Sequence, residues 1–248
     1  DGAVAIKSYF TLPWALHRAI ADEAREVGVP VAGHGLLFRE TVMGPVIGRS
    51  TMEHQPTPIR LYDDVLQLMV KTGTKWVPTI TATGGNGILF AQEPTLLSDP
   101  KLRAFTSQGD YALAEEVELF SMLDPQVLGR TYAELLASIG QGHTTGVQLL
   151  TGTDALNPNV FYGHGQQTEM WHFARARVSA LDILRLATIE SARAVGAESD
   201  LGSLEQGKLA DIVILNSDPM QDIANAMDIW YVMQDGRLFT STAQAVHH

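Results

Sequence analysis

The chain has 248 residues, 45% hydrophobic and 18% charged, which is enough for a sizeable core in one large or two small domains. Its 28 acidic against 17 basic residues leave a net charge of −11, which repels phosphate backbones and anionic membranes and argues against a nucleic-acid or membrane partner. With no cysteine, disulfides and thiolate metal sites are excluded, and any metal falls to His, Asp, Glu or a modified Lys.

Short apolar runs alternate with helical patterns, which predicts βα units and a parallel sheet. The first strand is AVAIK; it begins almost at once after Asp1, so an upstream portion is expected to be missing or separate. LPWALHRAIADEAREVG predicts a helix with Leu12, Leu16, Ile20 and Val27 near one face and Gly28 as its stop. VPVAGHG is the next strand and GRSTMEH a shorter one. The amphipathic IRLYDDVLQLMVKTG, closed by Gly73, leads into the strand of KWVPTITATGG. From Asn86 to Gly142 the pattern is mostly helical, interrupted near Pro94, Pro100 and Pro125.

GVQLLTGTDA gives the fifth strand: Val, Leu and Leu without polar alternation, as in strands covered on both faces, running straight into Asp154. A loop containing YGHGQQTEMW then enters a helix, and SALDILRLATIESARAVG gives another, capped by Ser179. ADIVILNSDP and IWYVMQDGRLFT read as strands of a small antiparallel sheet, the second with an Asp235-Gly236 hairpin signal. No apolar run approaches the roughly 18 residues that cross a bilayer, so a soluble chain is expected, cytoplasmic or periplasmic. His247 and His248 resemble the remnant of a purification tag.

Four strand ends carry side chains able to bind metal or move protons: Lys7 after AVAI, His34 after VPVAG, His54 after STME and Asp154 after LLTGT. Singly, each admits a plainer role: a solvated lysine, two hydrogen-bonded structural histidines and an Asp that caps a helix or starts a turn. Together they would converge where the carboxyl ends of parallel strands gather ligands. His164 follows the fifth strand and could contact substrate or face water; Tyr9, Arg60 and Tyr62 lie just after their strands. His17, His143 and His172 read as structural or surface residues.

The order Lys, His, His, GTD, followed by HGQQTE, LRLATIESARAVG and GSLEQGKLADIVILNSDPM, resembles the amidohydrolase superfamily, nearest its imidazolonepropionase and prolidase-like branch. KSY and RLYDDVLQL also look like members fused behind TolB-type propellers. The resemblance covers almost the whole chain and implies an α/β fold: the carboxyl-terminal part, about five βα units, of a TIM (β/α)8 barrel. Residues 1–203 would be strands four to eight of the barrel, and 204–248 strands of a small β-sandwich.

The resemblance also implies a site. Lys7 matches the lysine that family members carboxylate with carbon dioxide, giving an N6-carboxylysine that bridges two divalent metal ions, zinc above all. His34 and His54 match the imidazole ligands of one metal. Asp154 matches the carboxylate that ligates the other and acts as general base, then acid. Tyr9 and His164 are carried as substrate-binding candidates. The implied reaction is hydrolysis of an amide, peptide or cyclic-amide C–N bond in a small molecule.

Family members also carry a His-x-His pair on the first strand, and none occurs here. The chain is therefore expected to be inactive alone, and to be completed by an amino-terminal segment or by association into a homo-oligomer. A non-catalytic scaffold that kept the fold is the competing reading. A mononuclear deaminase is a third, opposed by Lys7, because deaminases usually lack the bridging lysine.

Overall fold

The computed structural model describes residues 3–56, 59–106, 124–155, 157 and 159–240. Four short strands, β1 (Ile6–Ser8), β2 (Val31–His34), β3 (Thr51–Glu53) and β4 (Lys75–Val77), form one sheet in sequential order. All three pairings are parallel, with Lys7 opposite Ala32 and His34 opposite Glu53. Parallel neighbours need a crossover between them, and α1 (Trp14–Glu26), α2 (Phe38–Ile47) and α3 (Asp63–Thr72) supply the three. This is the sequential βα winding of a barrel wall.

The fifth predicted strand is reduced to a single parallel bridge between Trp76 and Leu149. Trp76 donates its amide to Gln148 O at 2.9 Å and its carbonyl accepts from Leu150 N at 2.9 Å. Past Leu150 the chain exchanges ladder bonds for side-chain bonds. Gln166 Nε2 donates to Thr151 Oγ1 at 2.6 Å, and Thr81 Oγ1 donates to Thr153 O at 3.1 Å.

The helix expected from LPWALHRAIADEAREVG forms, but its buried face differs. His17, Ala21 and Ala24 face the sheet, whereas Leu16 and Val27 are 50% and 61% exposed. The reason lies in the group opposite. Arg49, 2% exposed, runs up between the sheet and α1 and donates to His34 O at 3.2 Å and to the ring of His17 at 3.0 Å. Polar His17 meets it, and the small Ala21 and Ala24 let the helix approach.

The segment after β4 holds a wide helical turn (Thr81–Gly85), α4 (Asn86–Gln92), a 3-10 turn (Pro94–Ser98), α5 (Pro100–Phe105) and α6 (Pro125–Thr145), consistent with the predicted proline interruptions. Part of that predicted helical stretch, 107–123, lies outside the described residues, as do His247 and His248. α7 (His164–Arg175) follows the bridge strand.

The next predicted helix is two: α8 (Ala180–Ala187), capped by Ser179 as expected, and α9 (Ile189–Ala194). They break at Thr188, where φ is −125° and ψ −93°. There hydroxyls take over carbonyls that a continuous helix would bond: Thr188 Oγ1 donates to Leu184 O at 2.6 Å and Ser191 Oγ to Leu186 O at 2.7 Å.

Leu61, Leu66, Met69, Trp76, Leu135 and Phe173 pack the main core between sheet and helices. A separate antiparallel sheet contains β5 (Ile212–Leu215), β6 (Ile229–Gln234) and β7 (Arg237–Thr240). The hairpin turns on Asp235 and Gly236, at φ 48° and 73°, the left-handed pair a two-residue turn requires. Among the described residues no helix is long and apolar enough to cross a membrane.

A Cβ on Gly33 would run into the Arg49 side chain. Gly33→Ala is therefore expected to cost about 1–3 kcal/mol in urea unfolding, the range for overpacking a filled interior. An unchanged midpoint would show that Arg49 can swing aside.

Candidate active site

The sheet brings three of the four proposed ligands together at the carboxyl ends of their strands, with the fourth beside them. The rings of His34 and His54 lie 4.2 Å apart, centroid to centroid, and His54 Nε2 is 3.8 Å from Asp154 Oδ2. Lys7 points to the same concave face, its ammonium 3.8 Å from Glu53 Oε2, and its charge is felt at both imidazoles. Below them, Ala5, Ala32, Thr51, Glu53, Val77 and Thr151 line a cavity of about 210 Å³.

The two imidazoles are held differently. His34 is 8% exposed, and both of its ring nitrogens are buried without a hydrogen-bond partner. Such orphaned polar atoms are rare, since each costs the desolvation of the group. His54 Nδ1 is bonded to Thr79 Oγ1 at 2.6 Å, which turns Nε2 toward Asp154. Burial holds His34 below the ordinary imidazole range, and so, to a lesser degree, do the charges of Lys7 and Arg49. Burial and the neighbouring His34 push His54 down to about 4. Both rings are thus neutral at pH 7, with lone pairs available.

The backbone is strained where these residues meet. His54, Thr79 and Asp154 have φ of 71°, 46° and 50°, in the left-handed region that costs a non-glycine residue about 1–3 kcal/mol. Each is tied down. Trp76 Nε1 donates to His54 O at 3.0 Å, and Asn157 Nδ2 donates to Asp154 Oδ2 at 2.8 Å. Among the described residues no three His, Asp or Glu side chains already form a ready-made ion cage.

Tyr9 is 47% exposed with its ring 4.8 Å from His34, so it stands at the rim of this face. His164 is the first residue of α7 rather than a loop residue; its Nδ1 is buried without a partner, and Phe90 and Phe161 lie beside its ring. Arg60 is drawn away to Gln141 and Glu134, and Tyr62 precedes α3, exposed. Of the histidines read as structural, His17 is buried against Ser8 and Arg49, and His143 lies 3.4 Å from Asp182.

His172 is wholly buried. Its Nε2–H donates to Asn86 Oδ1 at 3.0 Å and its Nδ1 accepts from Tyr132 at 2.6 Å, since Asn86 Nδ2 is committed to Asn159 O.

Sequence reasoning missed four residues that shape the site. Glu53 faces Lys7, and Thr79 orients His54. Arg49 holds the His34 carbonyl, and Glu169, with no exposure, accepts from Ile80 N at 3.1 Å and Thr81 N at 2.9 Å. A signal for Glu169 existed: Gly165, Thr168, Glu169 and His172 recur at helical spacing on the buried face of α7.

The sequence model of the Amidohydrolase family matches residues 2–239. An imidazolonepropionase from Treponema denticola is 29% identical over 128 residues, 51% of this chain and 29% of that protein. A 5-methylthioadenosine/S-adenosylhomocysteine deaminase from Symbiobacterium thermophilum is 48% identical over 40 residues, 16% of this chain and 9% of its own length. The crystal structure of a Xaa-Pro dipeptidase with bound methionine in its active site superposes with a TM-score of 0.69 at 22% identity, covering 97% of this chain and 55% of that one. The parallel wall with its small antiparallel sheet is thus the fold of part of a (β/α)8-type barrel with its small sheet. The chain belongs to the amidohydrolase family. It spans only part of each of these relatives, about half of the dipeptidase.

Burial pushes His172 down to about 3 from an unfolded value near 6.5. Its contribution to stability is then full above pH 6.5 and is lost as pH falls toward 3, at up to about 1.4 kcal/mol per pH unit. Urea unfolding at pH 7 and pH 4.5 should show a smaller acid loss for His172→Gln than for the wild type. Equal losses would mean that His172 does not carry the acid limb.

Proposed function

We propose that this chain contributes the centre of a metal-dependent hydrolase acting on amide, peptide or cyclic-amide C–N bonds of small molecules. The observation that carries the reading is His34: two buried ring nitrogens without partners, packed against a second neutral imidazole whose Nδ1 is already held. His54 has the arrangement a ligating histidine needs, one nitrogen held by Thr79 and the other turned outward, and the unpartnered nitrogens of His34 are ones that an ion would satisfy. Two neutral imidazoles and a carboxylate suit zinc.

In this reading His34, His54, Asp154 and Lys7, the last as its carbamate, would hold a pair of divalent ions. The bound ions would supply an acidified water and a polarised carbonyl. The chain's own part is proton movement and placement. Asp154, oriented by Asn157, takes the proton of the attacking water and delivers it to the leaving nitrogen, so that a C–O bond forms as the C–N bond breaks. Tyr9 at the rim and His164 at the start of α7 are proposed to contact the substrate. Residues 1–203 are proposed as the barrel portion and 204–248 as the small-sheet portion. The ligands that a His-x-His pair provides elsewhere in the family would come from a further segment or a second copy of the chain.

A scaffold reading draws on one observation, the Lys7–Glu53 ion pair, which gives the lysine a role without metal.

The complete protein, zinc-loaded, should hydrolyse a panel of amide and dipeptide substrates. Asp154→Asn is expected to lower kcat about 10²–10⁴-fold, the usual weight of a general acid–base group. Full activity in Asp154→Asn, or activity that survives metal removal by a chelator, would contradict the reading.

A further inference from the structure

We propose that Glu169 is a positioning residue for this site, acting through the turn from Thr79 to Thr81 on both His54 and Asp154. The inference rests on the reading of those two residues as ligands, but its geometry stands independently.

Glu169 lies on α7 with no solvent exposure, and its two carboxylate oxygens face two adjacent amides, Ile80 N at 3.1 Å and Thr81 N at 2.9 Å. Those amides open the helical turn Thr81–Gly85, where the first N–H groups have no partner within the turn. A carboxylate from a neighbouring helix satisfies them. Burial raises the Glu169 carboxyl to about 7, while the Thr81 and Ile80 amides favour its ionised form; keeping so costly a group in a dry interior calls for a task that an apolar residue could not perform.

The task is visible on either side of those two amides. Thr79 Oγ1 meets His54 Nδ1 at 2.6 Å, and Thr81 Oγ1 donates to Thr153 O at 3.1 Å, the carbonyl of the peptide that leads into Asp154. Three consecutive residues therefore hold one ligand ring, one buried carboxylate and the peptide of a second ligand. Thr79 is β-branched with φ at 46°, and His54 and Asp154 are likewise left-handed, so the backbone on all three sides would relax if released. Glu169 is the anchor outside the strained group.

The chemistry selects Glu over its isostere. A carboxylate presents an acceptor to each amide, whereas the carboxamide of Gln would set its NH2 against one of the two N–H groups. Packing is the same in both, so the substitution separates positioning from filling space.

The test uses the complete protein, with Glu169→Gln and Thr81→Val as separate arms and circular dichroism to check folding. NMR of 15N-labelled imidazoles and backbone amides is the primary readout, and zinc affinity by competition with a chelating dye is the second. Glu169→Gln should shift the ring resonances of His54 and weaken zinc binding about 10–100-fold, as loss of outer-shell support does. Thr81→Val, which removes the hydroxyl that bonds Thr153 O and also meets Glu169 but leaves both backbone amides on Glu169, should shift the Asp154 amide and leave the His54 ring unchanged.

A folded Glu169→Gln protein with unaltered His54 resonances would overturn the proposal. If Glu169→Gln does not fold, an unshifted Asp154 amide in Thr81→Val overturns it instead. Should the wild type bind no zinc, the hydrolase reading fails while the resonances still decide this one.

Discussion

The parallel pairing of β2 with β3, which sets His34 opposite Glu53, is the constraint on which the site depends. Side chains alternate across a strand, so this register puts His34 on the concave face together with Ala32, Thr51 and Glu53. His54 then leaves β3 one residue later, and its left-handed backbone turns its ring back toward His34 instead of away. A slip of one residue would send the ligand candidates into the helix layer.

Buried polar side chains on the other side of the sheet secure that register. Arg49 starts just before β3, crosses over Gly33 and reaches the carbonyl of His34, so one side chain spans two strands and α1. Glu169 does the corresponding work beyond β4. Neither group is placed to react; both hold backbone. Around them burial keeps His17, His34, His54 and His172 all below the ordinary imidazole range, which preserves neutral rings at pH 7.

The four strand ends were legible because each apolar run stops at a polar residue, and parallel strands gather such ends. The small antiparallel sheet was legible from Asp235-Gly236. Less visible was anything set by contact between distant segments. The face of α1 could not be read from Leu16 and Val27, because a single buried arginine, 32 residues downstream of His17, decided it. The break at Thr188 depended on hydroxyls choosing carbonyls, and the fading of the fifth strand on Thr81 and Gln166 capturing its groups. Thr79 and Glu169 carry no motif of their own; their meaning comes from what they touch.

The site as it stands sets two neutral imidazoles beside the Asp154 carboxylate on a rigid wall, and the proposed chemistry depends on His34 and His54 sharing one ion. Crystals of the complete protein grown with zinc, with diffraction data collected on both sides of the zinc edge, test this most directly. The account predicts an anomalous peak about 2.0–2.1 Å from a ring nitrogen of each histidine. Zinc bound elsewhere, with both rings uncoordinated, would contradict it.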